Sequence, residues 1–358
     1  MTLLYTEIEE ELRAAVRQVL ADRAPWTSVL ARTESDEPYD TGLWRTLAAD
    51  VGIAGLAVPE KFGGAGASWR EAAVVAEELG RAVAPVPHLG AAMATGALIS
   101  IADADLLATV SAGERTAVPA VALSSWDPRT PPVSVRVDGG ALTGTVTSVA
   151  DALAADVLLV FTDDGLYAVD VADVTRTPVV SLDLTRRLCD VTLARAPGRR
   201  LATGDAARQA WAQAWRAGAT VLASEQLGIA EWCLTTTVEY VKTRKQFGRP
   251  VGSFQALKHR LAELWVAVTQ AHAVARHAAV CLADEDSDVF VAVSLAQAHC
   301  SPVAVRAAEE CVQMHGGIAM TWEHPAHLYL KRAKSDAIAL GTPERHRALL
   351  AELVDLPS

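Results

Sequence analysis

The stretch Tyr240-Val-Lys-Thr-Arg-Lys-Gln-Phe-Gly-Arg-Pro-Val-Gly-Ser-Phe-Gln-Ala-Leu-Lys258 joins two long helical patterns through a basic turn. Before it, the helical period begins near Ala206. After it, Phe254, Leu257, Leu261, Leu264, Trp265 and Val268 fall at i, i+3, i+7, i+10, i+11 and i+14, one stripe of one helix. Segments this long, continuing to the end of the chain, predict a helical bundle over residues 206–358. In the turn itself, Lys242, Arg244, Lys245 and Arg249 gather basic side chains. A solvated basic turn with a buried Phe247 is the plainer reading of the same residues.

Working outward, residues 5–110 carry amphipathic runs at Ile8–Leu20, Leu43–Ala49 and Trp69–Ala82, separated by Pro and Gly. Between about 115 and 200 the pattern changes. Val133 to Val137 alternates, Asp138-Gly139-Gly140 marks a hairpin, and Val157–Phe161 and Leu166–Val171 are short β-rich runs. The expected fold class is α+β, mainly α: an N-terminal helical domain (1–112), a central β domain (113–205) and a C-terminal four-helix bundle (206–358).

Composition narrows the function. With 51% apolar and 21% charged residues, the chain is an ordinary globular sequence. A formal charge of -11 argues against nucleic acid, whose binding needs clustered Lys and Arg. The start, Met1-Thr-Leu-Leu-Tyr-Thr-Glu-Ile8, has no basic region ahead of an apolar core, so no signal peptide is expected. Leu89 to Ala102 is apolar but too short to span a bilayer. A cytoplasmic protein without membrane contact is the expectation. Cys189, Cys233, Cys281, Cys300 and Cys311 are far apart, with no CxxC spacing, and read as buried free thiols; no metal site is expected.

Three segments resemble the acyl-CoA dehydrogenase family and together span most of the chain. The first is Val51-Gly-Ile-Ala-Gly-Leu-Ala-Val-Pro-Glu-Lys-Phe-Gly-Gly-Ala-Gly66 with Glu77-Glu-Leu-Gly-Arg81, similar to the family's N-terminal loop and helix. The second is the Tyr240–Lys258 stretch. In the family, the residues matching Arg244, Gln246 and Phe247 reach across a subunit boundary to the pyrophosphate and adenine of a neighbour's FAD. The third, Cys311-Val-Gln-Met-His-Gly-Gly-Ile-Ala-Met320, is similar to the Gln-x-x-Gly-Gly motif that contacts the ADP part of FAD. Gln313, Gly316 and Gly317 match it, and the glycines allow close backbone approach. His315, inside that motif, is equally readable as structural. Thr342, in the Gly341-Thr342 pair, is a further cofactor-binding candidate by this resemblance. Weaker likenesses to the family's central domain lie at Leu142-Thr-Gly-Thr145 and Ala155-Asp-Val-Leu-Leu-Val160.

The chain departs from the family where catalysis occurs. The family removes an α proton with a glutamate while hydride leaves Cβ for the flavin. In most members that glutamate precedes the Gly-Thr pair, where this chain has Leu340. In others it lies ten residues before the glycine matching Gly228, where this chain has Gly218. Neither accepts a proton. Glu225 is two turns from Gly218 and is expected to be a helix-surface or interhelical acid. Asp336, one turn before Leu340, is the weak candidate for a substitute base; a surface ion pair with Arg332, near Lys334, is its expected role. The family's flavin platform is replaced by Leu123-Ser-Ser-Trp-Asp-Pro-Arg-Thr-Pro-Pro132, and its flavin-covering Trp-Ile-Thr by Ser148-Val149-Ala150. Trp211, Trp215, Trp232 and Trp265 are expected in the bundle core.

The resemblance therefore implies an FAD-dependent acyl-CoA dehydrogenase subunit. Its cofactor is FAD and its substrate an acyl-CoA thioester, in fatty acid or steroid degradation. Electron-transfer flavoprotein or a similar acceptor takes the electrons. The cis-acting residues are lost and the trans-acting ones kept. This implies a hetero-oligomer, α2β2, with a homologous partner carrying the base. A homomeric enzyme with an unconventional base and a flavin-free structural or regulatory paralogue are the alternatives; flavin use in a different oxidation also stays open.

Overall fold

Thr6 starts the first helix with a reciprocal cap: its hydroxyl accepts from Glu9 N at 3.2 Å, and the Glu9 carboxylate accepts from Thr6 N at 2.6 Å. Ser68 and Glu71 form the same box at the start of another. The computed structural model describes residues 3–356, so Met1, Thr2, Pro357 and Ser358 lie outside the described residues. Six helices come first: α1 (Glu7–Arg23), α2 (Trp26–Thr33), α3 (Thr41–Arg45), α4 (Trp69–Ala82), α5 (His88–Ile101) and α6 (Ala104–Ser111).

Eight strands follow: β1 (Ala117–Pro119), β2 (Val135–Asp138), β3 (Ala141–Ala150), β4 (Val157–Phe161), β5 (Leu166–Asp170), β6 (Thr175–Val179), β7 (Leu188–Pro197) and β8 (Arg199–Ala202). They form two sheets, ordered β1-β4-β5-β8 and β2-β3-β7-β6. Strand β4 is buried along its whole length because both its faces are covered. Leu158 and Val160 pack into the core between the sheets, while Val157, Leu159 and Phe161 face the helices. Phe161 meets Trp211 edge-on at 5.5 Å.

The last third is α7 (Gly204–Thr243), a two-residue hairpin β9 (Lys245–Gln246) and β10 (Arg249–Pro250), α8 (Gln255–Ala283), α9 (Val289–His315), α10 (Ala326–Asp336) and α11 (Pro343–Leu353). Helix α7, 40 residues long, runs through the molecule and packs against α4, α5, α8 and α9. The fold is α+β and mainly α, as expected. All five cysteines are buried free thiols. By length and composition the segment Val289–Met320 could cross a membrane, but 61% of its most apolar window is buried within the protein, as suits a bundle helix. One aromatic expectation fails. Trp211 and Trp215 are core residues, but Trp265 is 61% exposed, because it borders an open groove between α8 and α7, beside Leu234 and Thr235, rather than lying inside the bundle.

Candidate functional site: an exposed clamp and a closed chamber

At the end of α7, Arg244 N donates to Tyr240 O at 2.9 Å and Val251 N donates to Arg244 O at 2.8 Å, which closes the β9–β10 hairpin. Its tip is Phe247 and Gly248, both at positive φ. Phe247 is 89% exposed, so the sequence's plainer expectation of a buried ring there is overturned; only the edge of Phe254, at 6.2 Å, lies against it. Arg244 and Gln246 are exposed as well. Neither side chain makes a hydrogen bond or ion pair among the described residues. A row of unspent donors and a bare ring therefore project from the bundle's end.

The second motif lies at the end of α9. Gln313, Gly316 and Gly317 are exposed. Gly316 sits at φ 65°, ψ -139°, a conformation open only to glycine. A β-carbon added at either glycine would meet nothing within 4 Å, so a ligand can approach the bare backbone. The two motifs, some seventy residues apart in sequence, are joined by Tyr240, whose hydroxyl donates to His315 O at 3.3 Å (|i−j| = 75). The His315 ring is buried and stacks on Tyr240 with centroids 4.3 Å apart, so its role here is structural. Thr342 lies at the N-cap of α11, where its hydroxyl accepts from Arg345 N.

The two family base positions, Gly218 on α7 and Leu340 in the α10–α11 turn, meet in a different place. A β-carbon at Gly218 would lie 2.5 Å from Met93 Cγ and 3.0 Å from Leu340 Cδ1. Leu340 is 1% exposed, so apolar side chains fill the position. Leu123 closes the chamber from the other side: its N–H donates to Ser148 O at 3.0 Å and its carbonyl accepts from Leu340 N at 2.8 Å. The replaced platform, the replaced flavin cover and the vacant base position are thus bonded directly to one another. Trp126 from the same loop sits over Gly341, beneath the Arg345 guanidinium at 5.0 Å, and Trp211 Nε1 donates to Asp127 O at 2.8 Å. These residues lack the family's flavin-covering Trp-Ile-Thr and its platform loop, and the backbone amides of Leu123, Ser148 and Leu340 are spent on protein acceptors, so the flavin ring finds no family platform here. The ADP half of FAD fits the exposed hairpin and diglycine.

The expectation of a surface ion pair for Asp336 is corrected, while Glu225 is interhelical, one of the two places expected for it. Asp336 is fully buried, and its partner is Arg186, whose Nη1 donates to Oδ1 at 2.7 Å; Lys334 pairs with Glu309 instead. Glu225 is buried between Arg186 Nη2 at 2.6 Å and Arg332 Nη1 at 2.5 Å. Arg332 Nε also donates to Asp183 at 2.6 Å. Burial alone would raise Glu225, but the two arginines hold it down at about 2. Asp336 is pushed well above the usual carboxylate range by burial and by Glu225, against the pull of Arg186. The reason for the correction is Arg186 and Asp183, which come from the β6–β7 connection and reach into the bundle. Both were missed in the sequence, where the only signal was a run of polar residues, Asp183-Leu-Thr-Arg-Arg187, between strands. The network ties the β layers to α7 and α10; Glu225, held ionised between two arginines, is a poor proton acceptor, and Asp336, which burial pushes toward its protonated form, is spent on the bond from Arg186.

Known families fit this arrangement. Residues 6–105 match the acyl-CoA dehydrogenase N-terminal domain and residues 213–354 the acyl-CoA dehydrogenase C-terminal domain. The chain is 38% identical over 353 residues to the acyl-CoA dehydrogenase IpdE2 of Mycolicibacterium smegmatis, covering 97% of this chain and 99% of that protein. Among solved structures, the ChsE4-ChsE5 complex from Mycobacterium tuberculosis superposes with a TM-score of 0.87 at 28% identity, over 100% of both chains. The Tcur3481-Tcur3483 steroid ACAD G363A variant does so with a TM-score of 0.85 at 30% identity, over 98% of both chains. This chain belongs to the FAD-dependent acyl-CoA dehydrogenase family, oxidoreductases that act on acyl-CoA thioesters.

Proposed function

We propose that this chain is the non-catalytic subunit of a heteromeric acyl-CoA dehydrogenase, lending the ADP-binding half of the FAD site to a homologous partner. One observation carries the reading: the clamp residues Arg244, Gln246, Phe247, Gln313, Gly316 and Gly317 are exposed, while the base positions Gly218 and Leu340 are sealed in apolar contact. A free guanidinium serves a ligand held by another chain, and a buried leucine serves no proton transfer.

Two similar solved structures are named as pairs of chains, ChsE4-ChsE5 and Tcur3481-Tcur3483, which supports an α2β2 assembly with a homologous subunit. The second is named a steroid ACAD, which favours a steroid-derived or other bulky acyl-CoA over a simple fatty acyl-CoA. FAD, when bound, accepts hydride from the substrate Cβ. Arg244 would hold its pyrophosphate, Phe247 would lie against its adenine, and the Gly316–Gly317 backbone would approach the ADP, while the partner's glutamate takes the α proton. Thr342 belongs to the cofactor-binding set by resemblance. Electron-transfer flavoprotein or a similar acceptor would reoxidise the flavin, in the cytoplasm.

The homomeric alternative needs Glu225 or Asp336 as base, and both are committed to buried arginines. Purification of the chain alone and with its co-expressed partner tests the proposal. The chain alone is expected to be colourless and inactive, and the pair yellow and active with two FAD per four chains. A yellow, active homomer refutes the proposal; a colourless, active or inactive pair refutes the clamp.

A further inference from the structure

The two parts of the clamp are held together by a stack of three rings. Tyr240, one turn before Arg244, faces His315 with planes 28° apart. His324, from the turn before α10, lies 4.3 Å from His315 at a tilt of 40°. Hydrogen bonds fix where the protons are. His315 Nδ1 lies 2.7 Å from Cys311 O, a carbonyl, so this nitrogen carries the hydrogen and donates. His324 Nδ1 accepts from Ala326 N at 3.2 Å, so this nitrogen is bare. Tyr240 meanwhile accepts from Arg244 N through its carbonyl and donates to His315 O through its hydroxyl. A short bonded path therefore runs from Arg244 to the peptide that enters Gly316.

We propose that Tyr240, His315 and His324 are positioning residues for the ADP clamp: the stack sets Arg244 against the Gly316–Gly317 backbone, and it does so only while His324 is neutral. This rests on the trans-clamp reading and deepens it. Protonating His324 would place a hydrogen on Nδ1, facing the Ala326 N–H, and would break the bond that starts α10. It would also set a cation against a second imidazole at 4.3 Å. Among the described residues Cys311, whose thiol is held low, offsets part of that charge, but burial and His315 outweigh it. Cys311 of α9 acts on both rings, His327 and Lys331 of α10 stand beyond His324, and Glu323 is exposed and forms no ion pair with it. Burial and His315 accordingly hold His324 below the ordinary imidazole range.

The experiment uses the assembled complex with its partner subunit. FAD dissociation constants and melting temperatures are measured at about pH 7.5 and about pH 5.5, a window in which the FAD diphosphate does not titrate. The wild type is expected to lose FAD affinity at the lower pH, by less than the roughly tenfold that one lost hydrogen bond gives on full protonation, because burial and His315 hold His324 below the ordinary imidazole range. His324→Phe keeps a ring but no acceptor, and should show that roughly tenfold loss already at the higher pH, with no further fall. His324→Asn can still accept from Ala326 N through its amide oxygen, so it should restore affinity at the higher pH and abolish the pH response; it carries the test alone if the Phe variant fails to assemble. Wild-type affinity in His324→Phe, or a wild-type pH response in His324→Asn, overturns the proposal. Arg244→Ala, run alongside, separates the two ideas. If it drains FAD while the His324 variants do not, only the stack is refuted; if it leaves FAD in place, the clamp is.

Discussion

Gly218 and Leu340 occupy one another's space: a β-carbon on the first would stand 3.0 Å from Cδ1 of the second. The two alternative homes of the family's catalytic glutamate are thus a single location, reached from helix α7 or from the α10–α11 turn. A glutamate at either would need the other to be small, and Met93 takes up the remaining room.

Restoring the acid should therefore fail. L340E would bury a carboxylate where apolar contacts now lie, and G218E would overpack the same point against Met93. Each is expected to lower the chain's stability by about 1–3 kcal/mol or more and to yield no dehydrogenase activity in the chain alone. Denaturant melts and an acyl-CoA assay check this; turnover by the L340E homomer would show that the chamber still admits substrate and flavin.

Arg244→Ala should leave the melting temperature of the chain unchanged, because the side chain has no hydrogen-bond or ion-pair partner among the described residues. In the complex it should weaken FAD by about ten- to a hundredfold, the equivalent of roughly 1.5–3 kcal/mol for a charge-assisted contact. Flavin retained after gel filtration of the mutant complex reads the effect directly.

Asp336→Asn should leave turnover of the complex within a fewfold of wild type at normal flavin content. Burial and Glu225 keep the Asp336 carboxyl protonated well above its usual range, so the amide is close to an isostere, and the expected stability loss is about 1 kcal/mol. Arg186→Ala differs. It strips a partner from Glu225 and from Asp336 at once, and should cost about 3–5 kcal/mol. A thousandfold loss of turnover in Asp336→Asn would make Asp336 a base after all.

Acid should unfold the chain through its depressed carboxylates. Glu225 is held at about 2 by Arg186 and Arg332 against the cost of burial, and Glu9, likewise against burial, by Arg70 and Arg276. Unfolded, both titrate near 4.5. Their folded pKa values are lower, so their contribution is complete above pH 4.5 and lost as pH falls toward 2, at about 1.4 kcal/mol per pH unit for each group. Glu225→Gln, though less stable at neutral pH, should show a shallower acid limb; an unchanged slope would remove Glu225 from the account.

The sequence made local things legible. Helix α4 begins and ends where the Trp69–Ala82 period places it, and the turn after Asp138 joins β2 to β3 as its Gly-Gly dictates. The clamp residues were legible as motifs. What escaped was set by distant partners. Nothing adjacent to Asp336 announces that Arg186 arrives from 150 residues away, so Lys334 and Arg332 looked like its natural neighbours. Trp265 was misjudged because an apolar stripe marks a face without saying whether that face is covered by the same chain. His324 passed unnoticed, since a ring's stacking partners have no sequence spacing of their own.

The rod of helix α7 carries Gly218 toward one end and hands on to Arg244, its C-cap, at the other, 26 residues later and so about 39 Å further along its axis. No single FAD-centred reaction in one protomer can use both ends for the same step. If the chain is the non-catalytic subunit proposed above, its two ends answer to different demands: substitutions that fill the space around Leu340 leave the hairpin untouched, so one of two duplicated copies can shed its chemistry while the other depends on its clamp. The rod makes that division of labour mechanically cheap, and it also makes it hard to reverse, since regaining catalysis would require the loop at Leu123, the strand at Ser148 and the turn at Leu340 to change together.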